Sequence, residues 1–352
     1  MTAAATAAPR TVLGLETSCD ETSAAVVTAG ADGVRLASCV ILSQDVHQIY
    51  RGVVPELASR AHLVAVGAVA DRALEDAGLG LDDVDLFAVT EGPGLVGALL
   101  VGVSYAKGLA LASGTPLVGV HHLEGHLFGT ALEDPAAEPP FVALLVSGGH
   151  SMLLDVPAWG TYRLLGETRD DAVGEAFDKV GSLLGLGYPG GPAIEREARA
   201  GDPTRHRFPR PMLHGGQRLG DKDYFDLSMS GLKTALIHAV RATADLDGER
   251  AHLARGFQDA VIDVLVAKTL RAVGATGHPR VVLSGGVACN QALRAALAAA
   301  LAERGATLHA PSPRIATDNA AMIARAGLFR AAEAGRPVEA AARLPFPGLE
   351  RR

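Results

Sequence analysis

The chain contains the same succession of predicted elements twice. Residues 11–42 form three short apolar segments with a polar first turn, and residues 141–165 form three more in the same arrangement. Each set precedes stretches of helical periodicity that alternate with short apolar runs typical of strands. Pro139 and Pro140 separate the two copies. Because such a repeat indicates an internally duplicated fold, we predict an α/β protein with two βββαβα-type subdomains.

The length of 352 residues is enough for two domains of ordinary size. We predict an N-terminal subdomain at residues 11–138 and a C-terminal subdomain at residues 139–335. A basic insertion at about 186–235 interrupts the second subdomain. Residues 1–10 lack the charged and apolar regions of a signal peptide and are predicted to be a disordered tail. Residues 336–352 are predicted to be a C-terminal tail.

The composition is that of a soluble protein and excludes a chain-wide nucleic-acid surface. Apolar residues make up 48% and charged residues 20%, and the formal net charge is −7, so any basic surface must be local. Three cysteines are too few for a disulfide framework, which favours a cytoplasmic location. The long apolar run at residues 95–113 contains Lys107 and several glycines, so it predicts a buried helix and no membrane span.

Two histidines in a predicted helix have the spacing of a metal site. His122 and His126 are four residues apart, which places both imidazoles on one face of a helix. Spacing alone also allows the alternative of a helix start with solvated histidines. The pair therefore needs a further ligand from elsewhere in the chain.

Two glycine-rich turns each follow an apolar strand. They are Ser147-Gly148-Gly149 and the Ser-Gly-Gly at residues 284–286. Their backbone amides could hold an anion, although a purely structural turn has the same sequence pattern. Duplicated halves with polar hairpin turns suggest the actin-like ATPase (ASKHA) architecture, in which the ligand binds in a cleft between the halves.

The predicted insertion is the most basic part of this acidic chain. Its positive charges predict contact with a phosphate backbone, and the alternative is a solvated loop with balancing acids. The candidate residues for such phosphate contacts are Arg205, Arg207, Arg210 and Lys233.

Ten motifs in a fixed order resemble one known family. They are residues 15–22 (LETSCDET), 54–62 (VPELASRAH), 91–95 (EGPGL), 121–126 (HHLEGH), 145–150 (LVSGGH), 174–180 (GEAFDKV), 188–192 (YPGGP), 230–235 (SGLKTA), 284–287 (SGGV) and 317–323 (TDNAAMI). Together they resemble the TsaD family of tRNA N6-adenosine threonylcarbamoyltransferases, earlier described as O-sialoglycoprotein endopeptidases. The resemblance runs from about Val12 to Phe329.

The resemblance implies a two-histidine, one-carboxylate metal site. His122 and His126 match the metal histidines of the family, and Asp318 matches its third ligand. Such a set suits one divalent metal per subunit, with Fe(2+) favoured and Zn(2+) as the alternative.

The resemblance also implies adenylate and substrate positions. These are Leu145, Val146, Ser147, Gly148, Gly149, Asp178, Gly191, Glu195 and Asn290. The polar turn at Asp20 and Glu21 would face the ligand in this fold. We hypothesise that one of these carboxylates orients the attacking amine or accepts its proton, the alternative being that both only cap the turn.

The implied activity is transfer of a threonylcarbamoyl group from threonylcarbamoyl-AMP to N6 of adenosine 37 in tRNAs that read ANN codons. The implied partners are a TsaB-like paralogue, a TsaE-like ATPase, the tRNA anticodon stem-loop, and a TsaC/Sua5-type enzyme that supplies the donor. A sugar or acyl kinase of the same fold, a non-enzymatic scaffold and a metalloprotease remain alternatives. The protease is disfavoured because Glu124 is two residues from His122, about 200° around a helix.

Overall fold

A computed structural model gives the structure of residues 10–50 and 52–351. All but Arg10 of the predicted N-terminal tail, residues 1–10, lies outside the described residues. The chain divides into two compact units. Among the described residues, one unit consists of residues 10–50, 52–133 and 318–347, and the other of residues 134–317 and 348–351.

The strands and helices alternate largely as the repeated pattern predicts. The strands are β1 (Thr11–Glu16), β2 (Glu21–Gly30), β3 (Gly33–Ser43), β4 (Leu86–Gly92), β5 (Leu117–His121), β6 (Phe141–Val146), β7 (Ser151–Ala158), β8 (Thr161–Glu167), β9 (Arg280–Ser284), β10 (Thr307–His309) and β11 (Leu349–Glu350). The helices are α1 (Pro55–Ala77), α2 (Val96–Ser113), α3 (His122–Glu133), α4 (Val173–Leu183), α5 (Gly190–Ala198), α6 (Ser230–Ala242), α7 (Leu246–Thr276), α8 (Gln291–Ala302), α9 (Pro313–Ala316) and α10 (Ala320–Phe329).

The two units contain sheets with the same strand order. In the first unit the order is β3-β2-β1-β4-β5, and in the second it is β10-β9-β6-β7-β8-β11. In each sheet three antiparallel strands form a meander, and two later strands run parallel to the first strand of that meander. The duplicated α/β fold predicted from the sequence is therefore confirmed, and β11 adds one strand beside β8.

The central strand β1 is covered on both faces. Leu13 and Leu15 point into a core shared with Val69 and Val103, which lie on α1 and α2. Gly14 points to the opposite face and contacts α10, because side chains alternate along a strand. Burial on both faces explains why β1 reads as an almost continuous apolar run.

The last helix, α10, belongs to the first unit. It packs against β1, β4 and α3, although the predicted subdomains assign residues up to 335 to the second copy. The predicted C-terminal tail differs from a loose tail, because Val338 and Phe346 are buried and β11 pairs with β8. The predicted insertion also contains α5 and the first part of α6. The order of elements along the chain does not reveal that a late segment packs against an early one, since this depends on which apolar faces fit together.

Helix α2 is the one helix in the described ranges that is long and apolar enough to cross a membrane, by length and composition alone. Ala98, Leu99 and Val103 on its inner side are buried, and the helix packs against α1 and β4. Leu100 and Leu111 on its outer side are exposed. The prediction of a buried helix therefore holds for one face only.

Glycines allow α10 to approach its neighbours closely. A Cβ on Gly14 would lie 2.4 Å from the Ala320 carbonyl oxygen, and one on Gly327 would lie 2.3 Å from the Ala88 Cβ. On α3, a Cβ on Gly125 would lie 2.8 Å from Ile323. Any side chain at these positions would force the helix away from the sheet or from α3.

We expect Gly14→Ala to lower the free energy of unfolding by about 1–3 kcal/mol, because the added methyl group meets backbone atoms that cannot move aside. Gly108→Ala, within α2, is the control, since a Cβ there has nothing within 4 Å and alanine favours a helix. Urea unfolding of the two variants measures the effect. Equal stability of Gly14→Ala and the natural protein would contradict the close-packing argument.

Candidate metal centre and glycine-rich turn

Two buried histidines and a carboxylate come together in the first unit. His122 opens α3 directly after β5, and His126 lies one turn further along the same helix face. The His122 Nε2 atom lies 3.5 Å, and the His126 Nε2 atom 3.3 Å, from Oδ1 of Asp318. One ligand atom from each of the three residues lies within 4.8 Å of the others. The three metal-ligand candidates named from the sequence are thus brought to one place.

Asp318 is available to the histidines because the neighbouring residue caps the helix. The side chain of Asn319 accepts a hydrogen bond from the Met322 amide at 3.0 Å and is the N-cap of α10. The Ala320 amide donates to Ser23 Oγ at 2.9 Å, which fixes the start of α10 on β2. The Asp318 carboxylate precedes the cap and is directed at the imidazoles.

Glu16 orients the His122 ring through Nδ1, the nitrogen that is not directed at Asp318. This carboxylate is fully buried, and its Oε2 atom lies 3.0 Å from His122 Nδ1 and accepts a hydrogen bond from Thr90 Oγ1 at 2.8 Å. The Ser18 hydroxyl lies 3.2 Å from the same His122 nitrogen. An Nδ1–H that donates to Glu16 leaves the Nε2 lone pair directed towards Asp318 and His126.

The cluster holds an excess of negative charge. Burial alone would lower the pKa of His122, but the carboxylates of Asp318 and Glu16 outweigh burial and raise that pKa to about 9. Burial, together with the charges of Asp318 and Asp20, raises the pKa of Glu21 to about 10. The candidate turn at Asp20 and Glu21 therefore lies close to the metal-ligand candidates and shares their electrostatic field.

These residues fit a divalent metal ion. A metal with bonds of about 2.0–2.2 Å holds neighbouring ligand atoms roughly 3.0–3.4 Å apart, close to the separations from Asp318 to the two histidines. Two imidazoles and one carboxylate suit Fe(2+) and Zn(2+). A carboxylate that accepts from the second ring nitrogen, as Glu16 does from His122, is the usual support for a metal-bound histidine.

Glu124 lies on α3 but has a structural partner. It is buried, and its two carboxylate oxygens accept from the Arg330 guanidinium at 2.6 Å and 3.0 Å. Arg330 follows α10 and also donates to Glu333 at 2.8 Å. The bidentate pair ties α3 to the end of α10, which agrees with the expectation that Glu124 is not directed at the metal.

His121, the first histidine of the HHLEGH motif, has a role separate from that of His122 and His126. The His121 ring donates from Nε2 to the carbonyl oxygen of Leu344 at 3.1 Å. Its ring also lies 4.8 Å, between centroids, from that of Phe346. His121 therefore holds the returning C-terminal segment and is distinct from the metal pair.

In the second unit, the predicted anion-binding turn lies between β6 and β7. Leu145 and Val146 are buried at the end of β6, whereas Gly148 and Gly149 are exposed. The His150 amide donates to Ser147 Oγ at 3.2 Å, and the Ser147 amide donates to the His150 carbonyl oxygen. This closes the turn. A Cβ on Gly148 or Gly149 would meet nothing within 4 Å, so a ligand can approach their backbone.

The other substrate-position candidates of this unit are held by hydrogen bonds. Asp178 accepts from the Gly190 amide at 2.7 Å and links α4 to the start of α5. Glu195 accepts from the Gln291 amide at 2.8 Å. Asn290 caps α8 through Leu293, and its amide donates to Gln258 at 2.9 Å. Gly191 has open space where a Cβ would be. Asp178, Glu195 and Asn290 thus hold the backbone in place, whatever ligand contacts they make.

The basic insertion is partly neutralised by acids of the same unit. Arg205 pairs with Glu249, Arg210 with Asp263 at 2.6 Å, and Lys233 with Asp171. Arg207 is exposed, and no ion pair of Arg207 is found among the described residues. The alternative of balancing acids therefore applies to Arg205, Arg210 and Lys233, and Arg207 is the clearest candidate for a phosphate contact.

Sequence reasoning missed Glu16 and Arg330 as supports of the site. Glu16 carries a signal that could have identified it, since it is a carboxylate at the end of a strand that is otherwise apolar. Arg330 carries no such signal, because its partner Glu124 is distant in the chain.

The chain has the fold of the actin-like ATPases. The crystal structure of full-length HypF in its phosphate- and nucleotide-bound form aligns with 93% of this chain and 47% of that chain, with a TM-score of 0.60 and 12% identity. Component A of the (R)-2-hydroxyglutaryl-CoA dehydratase of Acidaminococcus fermentans aligns with 92% of this chain and 99% of that chain, with a TM-score of 0.54 and 13% identity.

Sequence comparison then identifies the family. The TsaD family model, described as tRNA N6-adenosine threonylcarbamoyltransferase, matches residues 35–325. The tRNA N6-adenosine threonylcarbamoyltransferase of Gemmatimonas aurantiaca is 60% identical over 348 residues, which cover 96% of this chain and 98% of the relative. The chain belongs to the TsaD family.

We expect Glu16→Gln to weaken the binding of Zn(2+) or Co(2+) about 10- to 100-fold, because His122 loses the carboxylate that orients its ring. Competition with a chromophoric chelator on metal-stripped protein measures the dissociation constant. Glu133→Gln at the exposed end of α3 is the matched control for loss of one negative charge. Unchanged affinity in Glu16→Gln would show that the carboxylate does not support the ligand.

Proposed function

We propose that the protein transfers the threonylcarbamoyl group of threonylcarbamoyl-AMP to N6 of adenosine 37 in tRNAs that read ANN codons. The reaction forms a bond between N6 and the carbamoyl carbon and breaks the bond from that carbon to a phosphate oxygen. AMP leaves, and N6 loses one proton. The observation that carries the proposal is the match to the TsaD family over nearly the whole chain, in a chain that keeps the His122, His126 and Asp318 cluster.

His122, His126 and Asp318 would hold the metal, which we infer to be Fe(2+), with Zn(2+) as the alternative. When bound, a divalent ion would supply Lewis-acid polarisation of an acyl oxygen. Glu16 fixes the ring of His122 for this task, and the ion pair between Glu124 and Arg330 holds α3 beside α10. The role of these six residues is to keep the ligand atoms close together before substrate arrives.

Asp20 and Glu21 are our candidates for the proton of the attacking amine. Their turn is polar, half-buried and close to Asp318, as the electrostatic influence of Asp318 on Glu21 indicates. With its pKa raised to about 10, the Glu21 carboxyl carries a proton at neutral pH when no cation is near. A divalent ion held by His122, His126 and Asp318 would lower that pKa. An ionised carboxylate within hydrogen-bond reach of N6 can then orient the amine and accept its proton as the new bond forms. The backbone amide of Gln44 donates a hydrogen bond to the Asp20 carbonyl oxygen and so restrains the turn.

The backbone amides of Ser147, Gly148 and Gly149 are our candidates for binding the phosphate of the adenylate. The turn is open at both glycines, and exposed amides stabilise an anion and its leaving group. Leu145 and Val146 position the turn from the sheet, and we assign Asp178, Gly191, Glu195 and Asn290 to the surrounding substrate contacts. This assignment follows the family motifs and the hydrogen bonds that hold these residues.

The exposed apolar face of α1 and α2 supports a TsaB-like partner. Leu63 and Val64 on α1, and Leu100 and Leu111 on α2, have large apolar side chains exposed to solvent. Such a face is typical of a protein interface. We further infer a TsaE-like ATPase, donor supply by a TsaC/Sua5-type enzyme, recognition of the tRNA anticodon stem-loop, and a cytoplasmic location.

The alternatives have less support. A sugar or acyl kinase of the same fold has no need of the three-residue metal cluster, and a fold alone does not define an activity. A metalloprotease of the HExxH type uses as its base a glutamate on the helix that carries the two histidines, whereas Glu124, the glutamate between His122 and His126, is bound to Arg330.

We expect Glu21→Ala to lose threonylcarbamoyl transfer by about 100-fold or more, since general acid–base groups contribute on this scale. The assay contains TsaB-like and TsaE-like partners, threonylcarbamoyl-AMP and unmodified tRNA, with nucleoside mass spectrometry as the readout. Metal binding should be retained. Asp20→Ala in parallel distinguishes which carboxylate acts, and full activity in both variants would reject the role of the turn. Absence of modified adenosine with the natural protein would reject the proposed function.

We expect Arg207→Glu to weaken tRNA binding and to reduce the slope of log affinity against log salt concentration by about 1 for the lost contact. Filter binding over a series of salt concentrations measures both. Arg72→Glu, an exposed charge reversal on α1, is the matched control. If the affinities of the two variants are equal, the insertion does not contact the tRNA backbone.

A further inference from the structure

His62 lies in the VPELASRAH motif, to which the proposed chemistry assigns no role. It occupies the inner face of α1, and its side chain is fully buried. Its neighbours in the chain, Leu63 and Val64, are exposed. A buried imidazole on an otherwise apolar helix face requires hydrogen-bond partners for both ring nitrogens.

Those partners are the two ends of the turn that carries Asp20 and Glu21. The His62 Nε2 atom lies 3.0 Å from the Cys19 carbonyl oxygen, and the Nδ1 atom lies 2.8 Å from the Thr22 hydroxyl. Since a carbonyl oxygen only accepts, Nε2 carries the proton and donates, and Nδ1 accepts from Thr22. Burial lowers the pKa of His62, which agrees with a neutral ring.

A second layer of hydrogen bonds fixes the surroundings of this ring. Gln44 Nε2 lies 3.3 Å from the His62 ring nitrogens, and Gln44 Oε1 accepts from His47 Nε2 at 2.9 Å. His47 in turn accepts from the Val54 amide at 3.3 Å, just before α1 begins. The turn is therefore tied to the start of α1 as well as to its inner face.

The stem of the turn is held independently. Thr17 Oγ1 donates to the Ala98 carbonyl oxygen at 2.9 Å, and the Leu95 amide donates to the Ser18 carbonyl oxygen at 2.8 Å. These contacts fix the chain before Cys19, and the pairing of Glu21 with Ser43 and of Thr22 with Leu42 in the β2–β3 ladder fixes the chain after Asp20. Between these two anchors, His62 and Gln44 supply the contacts that hold the turn. Loss of the imidazole should therefore loosen the turn without releasing the strand.

We propose that His62 is a positioning residue, which bridges the two ends of the Cys19–Thr22 turn and so holds Asp20 and Glu21 in the orientation that the reaction requires. The catalytic part of this inference rests on the proposed function. The positional part stands on the hydrogen bonds alone. A displacement of about 1 Å in a reacting group can lower a rate by about 100-fold, so a support of this kind affects turnover more than binding.

The test compares His62→Ala with Val69→Ala, which removes buried volume from the same helix at a distance from the turn. We expect His62→Ala to lower kcat for transfer about 100-fold, with KM for threonylcarbamoyl-AMP and metal affinity within about twofold of the natural protein. His62→Gln keeps an N–H donor for the Cys19 carbonyl oxygen and should recover part of the lost kcat. If His62→Ala proves poorly folded, the glutamine variant carries the comparison.

Hydrogen exchange read by mass spectrometry separates this proposal from the proposed function. Amides of residues 17–24 should exchange faster in His62→Ala than in Val69→Ala, and peptides of the second unit should not differ. Unchanged exchange at residues 17–24, or a kcat equal to that of Val69→Ala, would overturn the positioning role. If the natural protein transfers nothing, the proposed function fails, and the exchange result still decides whether His62 holds the turn.

Discussion

The site of the first unit depends on the close approach of α10 to β1, β4 and α3. Gly14, Gly327 and Gly125 leave room for this approach, since a Cβ at any of them would collide with an atom of a facing element. The approach delivers Asp318 to His122 and His126. Only then do three ligand candidates share one position, and the ion pair between Glu124 and Arg330 holds the same two helices together at the other end of α10.

A bound cation would balance the negative charges around this position. Asp318 and Glu16 act on His122, and Asp318 and Asp20 act on Glu21, so several carboxylates share a half-buried region with two imidazoles. Buried like charges are costly unless an opposite charge is close. A divalent ion held by the two imidazoles and Asp318 would supply that charge, and Glu16 would orient one of the imidazoles. Packing and electrostatics therefore favour the same occupant.

Much of this could be predicted from the sequence, and the rest depends on contacts that a sequence pattern does not contain. The two meanders were predictable because alternating apolar residues and polar turns are local signals. Asp318 was predicted through family resemblance, since as an isolated residue it reads as a helix cap, a role that Asn319 takes. The membership of α10 in the first unit was not predicted, because it follows from complementary surfaces. Likewise, the pairing of Arg205 with Glu249 was not predicted, because Glu249 lies on α7, far along the chain.

The return of the chain to the first unit has a consequence for biosynthesis. The first unit lacks one ligand and one covering helix until residues 318–347 have been made, although its sheet is complete once β5 has been synthesised. A nascent chain therefore exposes the α10 face of β1 and β4 throughout synthesis of residues 134–317. All three ligand candidates are present only after Asp318 has been synthesised, so a chain truncated before Asp318 cannot assemble the complete set.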